Sequence, residues 1–515
     1  MKGYYLIYLY FEMFLRSALV VSLTTFISRF FGYIRDVILA AQLGAGIYND
    51  IFIIIFRIPN FFRTIFGEGA FSASFIPLYS GILETEGKCE AQKFASRIQG
   101  FLLIALMIFC GLIFIFMPEL IKFTAPGLGG SENINLAVSL SRVSISYLAL
   151  ISFVAFYGGI LNSRGKYFAF AAAPVILNLV LIFFALKGNS QVEKLHWLSY
   201  GIVVAGVAEL IWMIFFLYKE RCLVRFTKLK ITEDIRTMAR RIVPGIIGSG
   251  VAQINVLVDT VIASFIPSAL SYLYYADRIN QLPLALIGTT MGIVMLPMLA
   301  KAFKRGDVEE GIRLQNQAIS FLLFISVPAS FALFILAFEL VEVLFERNAF
   351  TSLATNETAK ALMAFSLGLP AYSLVKIFVA NYHAGGDTKT PVKIAFICVI
   401  SNALFSIILL QYLKHVGIAL ASSISAWINI SLLWLLLNKN GKFKLVFGMS
   451  SKIIKYIVSA IIMTISIYLL KRFTVNFKPY VSLSILIVLG SLVYLVSAII
   501  TKATSLREIK GYLKR

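Results

Sequence analysis

Apolar stretches long enough to cross a bilayer as a helix, about 20 residues each, recur along the whole chain and leave room for little else. Windows of about 19 residues place spans near 15–42, 48–80, 93–118, 136–162, 167–187, 196–218, 239–266, 270–300, 313–338, 355–384, 391–413, 415–438, 453–471 and 479–501. A helix satisfies its own backbone hydrogen bonds where no water is present, so the sequence predicts an all-α polytopic membrane protein of about 14 transmembrane helices. Composition agrees, with 59% hydrophobic and 14% charged residues against roughly 25% charged in a soluble domain. The longest polar stretch, residues 219–241, is too short for a soluble catalytic core. The first apolar run continues into a span bearing Arg29 and Arg35 without a small-residue cleavage site, which predicts a retained first helix.

The net charge of +22 points to cytoplasmic loops rather than nucleic acid, and the distribution of cations fixes an orientation. One side collects Lys2, Arg16, Lys88, Lys93, Arg97, Arg164, Lys166 and the loops at 219–241, 301–313, 389–393, 439–455 and 502–515. The other holds only Lys122, Lys187, Lys194, Arg347, Lys414, Lys471, Arg472 and Lys478. The positive-inside rule makes the first side, with both termini, cytoplasmic. Cys89, Cys110, Cys222 and Cys398 are scattered, as are His196, His383 and His415, so neither a disulfide framework nor a zinc site is indicated.

The two halves share landmarks at a spacing of 220 to 224 residues: Glu119 with Glu339, Asp36 with Asp259, Pro77 with Pro297, and Asn178 with Asn402. Such order is better explained by duplication than by chance, and six spans per repeat preserve orientation. The expected organisation is an N-terminal lobe at 1–225, a C-terminal lobe at 226–440 in parallel pseudo-repeat, and a last helix pair with a basic tail at 441–515. Transporters of this kind hold substrate between their halves.

Charges remain inside the spans: Arg29, Arg35, Arg57, Arg63, Arg142, Arg278, Lys360 and Lys376. An arginine at mid-bilayer costs about 2.5 to 3.5 kcal/mol, so these should avoid lipid. Arg142 and Lys360 lie near helix ends and are expected to snorkel. Arg29 and Arg35 are separated by about 240 degrees of helix rotation and need not share a face. Gly32 between them would permit a kink or a close helix approach. Arg63 follows Pro59 and precedes Gly67-Glu68-Gly69, an interruption of the sort that lines transport sites, and Arg278 is followed by Pro283. Neighbours such as Arg35-Asp36 and Asp277-Arg278 point about 100 degrees apart on a helix and should not readily neutralise each other. Arginine forks suit phosphate oxygens and stay charged, so the set Arg29, Arg35, Arg63 and Arg278, with Lys376, fits an anionic ligand such as a pyrophosphate. The acids Asp36, Asp50, Glu68, Glu209, Asp259 and Asp277 suit gating pairs or coupling. Asp259 with Asn402 and Ser422 offers oxygen ligands to Na⁺. No phosphate loop, nucleophile elbow or HExxH motif occurs, which predicts a secondary-type transporter rather than an enzyme or ATPase.

With Ser28-Arg29, Gly32-Tyr33-Ile34-Arg35-Asp36, Pro59-Asn60-Phe61-Phe62-Arg63 through Gly67-Glu68-Gly69-Ala70-Phe71, Thr124-Ala125-Pro126-Gly127, Tyr274-Tyr275-Ala276-Asp277-Arg278 and Lys389-Thr390-Pro391-Val392-Lys393, the chain resembles the MurJ (MviN) family of bacterial lipid II flippases over essentially its full length. The resemblance implies two six-helix lobes around a cationic cavity and a last helix pair forming an apolar groove. It implies that Arg29, Arg35, Arg63 and Arg278 match cavity arginines, and that Asp50, Glu68 and Lys376 match other functional positions. Two positions depart: relatives that bind Na⁺ carry a second acid where Ser406 stands, and a family acid falls on Gln281. The implied substrate is lipid II, drawn from the cytoplasmic leaflet of the inner membrane with its tail left among membrane lipids, and carried by alternating access. Coupling by Na⁺, by H⁺ or by membrane potential, and association with cell-wall synthesis proteins, are further implications. A flippase for another isoprenoid-pyrophosphate sugar shares the arginine logic. A multidrug extruder would need a more acidic cavity, and a membrane transferase or scaffold would not translocate lipid.

Overall fold

The computed structural model describes residues 2–65, 71–227, 229–441 and 443–504, and among these the regular structure is helical throughout. The helices form two compact units, residues 1–268 and 269–515.

The first unit contains α1 (Lys2–Leu43), α2 (Ile47–Phe62), α3 (Ser72–Thr85), α4 (Gly87–Ile115), α5 (Met117–Thr124), α6 (Ser131–Ser144), α7 (Ser146–Asn162), α8 (Phe168–Ala185), α9 (Gln191–Lys219) and α10 (Glu233–Ser264). α8 packs on both α1 and α9, and α7 on α9. α10, which opens the second sequence repeat, packs here against α3 and α5. The reason is local. The amide of Gly127 donates to Ser264 Oγ at 3.1 Å, and a Cβ on Gly127 would sit 2.3 Å from the Ser264 carbonyl oxygen. The Thr124-Ala125-Pro126-Gly127 motif is thus a seat for the end of α10.

The second unit contains α11 (Ala269–Lys304), α12 (Val308–Ile335), α13 (Ala337–Phe345), α14 (Ser352–Ser366), α15 (Leu369–Ala384), α16 (Lys389–Leu413), α17 (His415–Lys439), α18 (Met449–Thr474) and α19 (Pro479–Ile500). α16 packs on α17, α11 on α15, and α18 on α19 and α12.

The duplication is visible in backbone detail. A single residue near φ −90 to −100° and ψ 15° ends the third span of each repeat, Phe116 in one and Leu336 in the other. A short helix follows in each, with Met117 and Ile121 buried in α5 and Ala337 and Val341 buried in α13. The next span is broken in each, at Ile145 between α6 and α7 and at residues 367–368 between α14 and α15, the latter bent by 41°. Nine helical segments among the described residues are long and apolar enough to cross a membrane, and the bent pair makes a tenth. The other four expected spans correspond to α1, the α2–α3 pair, α10 and α11, which carry most of the intramembrane charge and proline.

Prolines inside spans free the carbonyl four residues earlier, and in two cases a hydroxyl from another helix takes it. Pro59 frees the Ile55 carbonyl, which accepts from Ser144 Oγ at 3.2 Å. Pro328 frees the Phe324 carbonyl, which accepts from Tyr494 Oη at 2.8 Å. The second bond, with the Ser320 to Tyr456 hydroxyl pair at 2.9 Å, pins the final helices onto α12.

Candidate functional site

In the first unit the intramembrane cations divide by burial. Arg29 on α1 is exposed, whereas Arg35, six residues on, is buried. Contrary to the expectation from helix geometry, Arg35 and Asp36 do neutralise each other: Nη2 lies 2.7 Å and Nε 3.1 Å from Asp36 Oδ1. The long arginine stem swings its fork round to the adjacent carboxylate, and Arg35 Nη1 donates to Asn178 Oδ1 on α8 at 3.0 Å. The guanidinium also lies 5.4 Å from the Phe56 ring centroid on α2. Asn178 completes the junction by donating Nδ2 to the Ser28 carbonyl at 3.1 Å. Gly32 serves the same contact, since a Cβ there would meet Asn178 Nδ2 at 3.4 Å. α1 runs unbroken past it, so this glycine admits a helix rather than making a kink. Arg35 is therefore a joint between α1, α2 and α8, which the residue types alone did not reveal. The pairing of Asn178 with Asn402 in the repeat was the one available signal that this position matters.

Arg57 reaches across from α2 to α10, donating Nη1 to Thr260 Oγ1. Arg63 sits where α2 ends and the backbone widens into π-helical turns at residues 63–65, a distortion frequent at functional sites. Its amide bonds to the Pro59 and Asn60 carbonyls, and its Nε donates to Asn60 Oδ1 at 3.0 Å, so the half-buried fork is aimed by its own turn. On α9 the carboxyl of Glu209 is buried and accepts from Tyr147 Oη at 3.3 Å. Asp50 is buried in the first turn of α2, where helix amide dipoles favour a carboxylate. Glu68 lies outside the described residues.

In the second unit Arg278 on α11 is half-buried. It lies 4.8 Å from the Tyr274 ring centroid and donates Nη2 to Tyr274 Oη at 3.0 Å, one turn back. Stacking on a tyrosine holds the fork in a fixed plane. The adjacent Asp277 takes a hydrogen bond from Gln281. Lys376 is exposed on α15, the helix packed most closely on α11. Asn402 is fully buried on α16, Ser422 half-buried on α17 and Asp259 half-buried on α10. Arg142 lies in the last turn of α6, whereas Lys360, expected near a helix end, lies in the middle of α14. The first donates to the Phe114 carbonyl at 3.1 Å, and the second pairs with Glu357 at 2.6 Å.

A two-repeat helical membrane protein with oriented cations on interrupted helices belongs to the class of polytopic exporters and flippases. The family model described as "Lipid II flippase MurJ" matches residues 39–489, and the chain belongs to that family. It is 36% identical over 502 residues to a probable lipid II flippase MurJ of Rickettsia prowazekii, covering 96% of this chain and 98% of the relative. It is 35% identical to the corresponding protein of Rhizobium tropici, covering 95% and 94%. Among solved structures, a lipid II flippase MurJ in an inward closed conformation superposes with a TM-score of 0.78 at 29% identity, covering 94% of this chain and 98% of that one. A multidrug resistance MATE transporter in an inward-facing conformation shares the fold, with a TM-score of 0.70 at 14% identity over 82% of this chain and 98% of that one.

Proposed function

We infer that this chain is a lipid II flippase of a bacterial cytoplasmic membrane, with both termini in the cytoplasm. The observation that carries the reading is the family match over residues 39–489. Lipid II presents a pyrophosphate, and the exposed Arg29, the turn-held Arg63 and the tyrosine-stacked Arg278, with Lys376, are the cations proposed to meet it. Neutralising the headgroup lowers the cost of its passage across hydrocarbon. Arg35 with Asp36 is assigned instead to holding α1 against α8. Asp50, Glu68 and Asp277 are proposed to gate or balance these cations. The exposed apolar flanks of α18 and α19, including Ile461, Ile465, Val488 and Leu492, suit the undecaprenyl tail.

The headgroup is proposed to pass from the inner to the outer leaflet by alternating access. Asn402 and Ser422 offer neutral oxygens and Asp259 a carboxylate, and no step is routed through Na⁺. Membrane potential suffices to reset an empty cationic protein, at about 2.3 kcal/mol per charge per 100 mV. The test is reconstitution: proteoliposomes should translocate lipid II chemically unchanged, which also separates a flippase from a transferase. Transport of another polyprenyl pyrophosphate sugar in preference to lipid II would replace the substrate.

A further inference from the structure

After its sixth span each repeat continues into a short non-helical strap, and the two straps share a pattern of burial. In the first, Cys222 and Val224 are buried while Phe226 is 65% exposed. In the second, Phe443 is buried, Leu445 is half-buried, and Phe447 is 105% exposed. An amide side chain near the start of the unit's third span clamps each strap at the corresponding carbonyl. Gln92 Nε2 donates to Leu223 O at 2.6 Å, and Asn316 Nδ2 donates to Lys444 O at 2.9 Å. Asn316 Oδ1 also accepts from the Val446 amide at 3.2 Å. The buried Phe443 packs on Phe378, ring centroids 5.1 Å apart. The inward residues are thus clamped; Phe226 and Phe447 have the same parity as the buried positions but lie exposed where the strap leaves its unit, Phe447 in the turn closed by the Met449 amide on the Val446 carbonyl at 3.0 Å. Cations flank both tips: Arg221, Arg225 and Lys230 on the first strap, Lys439 and Lys444 on the second, all exposed.

A solvent-facing phenylalanine among cations on a clamped strap, within a few residues of a spanning helix, matches the requirements of an interfacial anchor: an apolar tip for the headgroup-acyl boundary and positive charge for anionic lipid. We propose that residues 222–226 and 443–447 are duplicated membrane-surface anchors that seat Phe226 and Phe447 in the cytoplasmic leaflet and hold acidic phospholipid headgroups through the flanking Arg and Lys. The occupant is phospholipid because both tips begin within a few residues of a span, where leaflet surface is the nearest neighbour, and because their charge complements an anionic one. The proposal rests on the orientation given above. Its consequence is that each unit is tethered to the leaflet at one fixed point.

The test uses full-length protein with Cys89→Ser and Cys110→Ser, labelled with bimane at Phe226→Cys or Phe447→Cys, in liposomes of phosphatidylcholine alone or equimolar with phosphatidylglycerol. Labels at both positions should be quenched by lipids brominated on their chains and shielded from aqueous iodide, relative to a label at Arg305→Cys in a polar turn. Phosphatidylglycerol should deepen the shielding. Arg221→Gln with Arg225→Gln, and Lys439→Gln with Lys444→Gln, should each reduce that advantage about fivefold or more, the equivalent of at least one of the two cationic contacts removed. Iodide quenching equal to that at position 305 in both lipids would overturn the anchors and leave the straps free for a soluble partner. Lipid II translocation measured in the same liposomes reports the flippase reading separately, since shielded labels with no translocation would overturn that reading and keep the anchors. Labelling of position 447 by an impermeant maleimide added outside intact cells would overturn both the orientation and the anchors.

Discussion

Two kinds of arginine occupy the same helix. Arg35 is engaged by Asp36, Asn178 and the Phe56 ring, whereas Arg29 is exposed, and substitution should separate them. Asn178→Ala leaves a buried guanidinium N–H without its acceptor and should cost about 1.5 to 3 kcal/mol. Thermal unfolding in detergent will read this, with flipping per folded molecule nearly unchanged. Arg29→Ala and Arg278→Ala should do the reverse, leaving the melting temperature in place and lowering translocation about tenfold or more, as loss of a charge-assisted phosphate contact requires. The presence of intramembrane arginines was legible in the sequence because charge among apolar residues stands out. Their division was not, because it depends on which side chain of a distant helix, here Asn178, arrives beside them. Likewise the 100-degree rule for neighbours failed at Arg35-Asp36 because it counts Cα directions and ignores the reach of a four-carbon stem.

Helices in this protein are joined where a backbone group has been freed or a side chain removed. Tyr494→Phe should leave the Phe324 carbonyl unsatisfied and weaken the seating of α19 by about 0.6 to 1.7 kcal/mol, seen as faster hydrogen exchange in α18 and α19 than in α16 and α17. Gly127→Ala forces a Cβ onto the α10 backbone and should destabilise by about 1 to 3 kcal/mol. On α13, burial first, then Glu346 and Glu339, raise the Glu342 carboxyl above the usual range. A raised acid contributes most when protonated, so thermal stability should fall as pH rises through that range, and Glu342→Gln should flatten the dependence. The proline positions and the repeat spacing of these elements were plain in the sequence. The partner of each freed carbonyl was not, since Ser144 and Tyr494 carry no local mark distinguishing them from other hydroxyls.

At the scale of the molecule, duplication explains more than fold. It accounts for the matched breaks at Phe116 and Leu336, the broken fourth spans, and the two clamped straps, so that each half carries its own cations and its own contact with the leaflet. Repeat and family motifs were readable without coordinates because they are properties of residue order along the chain. The measurement that tests the central claim most directly is the accessibility of lipid II at the outer surface of cells after rapid depletion of this protein, rescued at matched expression by wild type or by Arg29→Ala, Arg63→Ala and Arg278→Ala. Outer-leaflet lipid II should fall on depletion and return with wild type alone. Undiminished outer-leaflet lipid II in cells lacking any second flippase would contradict the assignment.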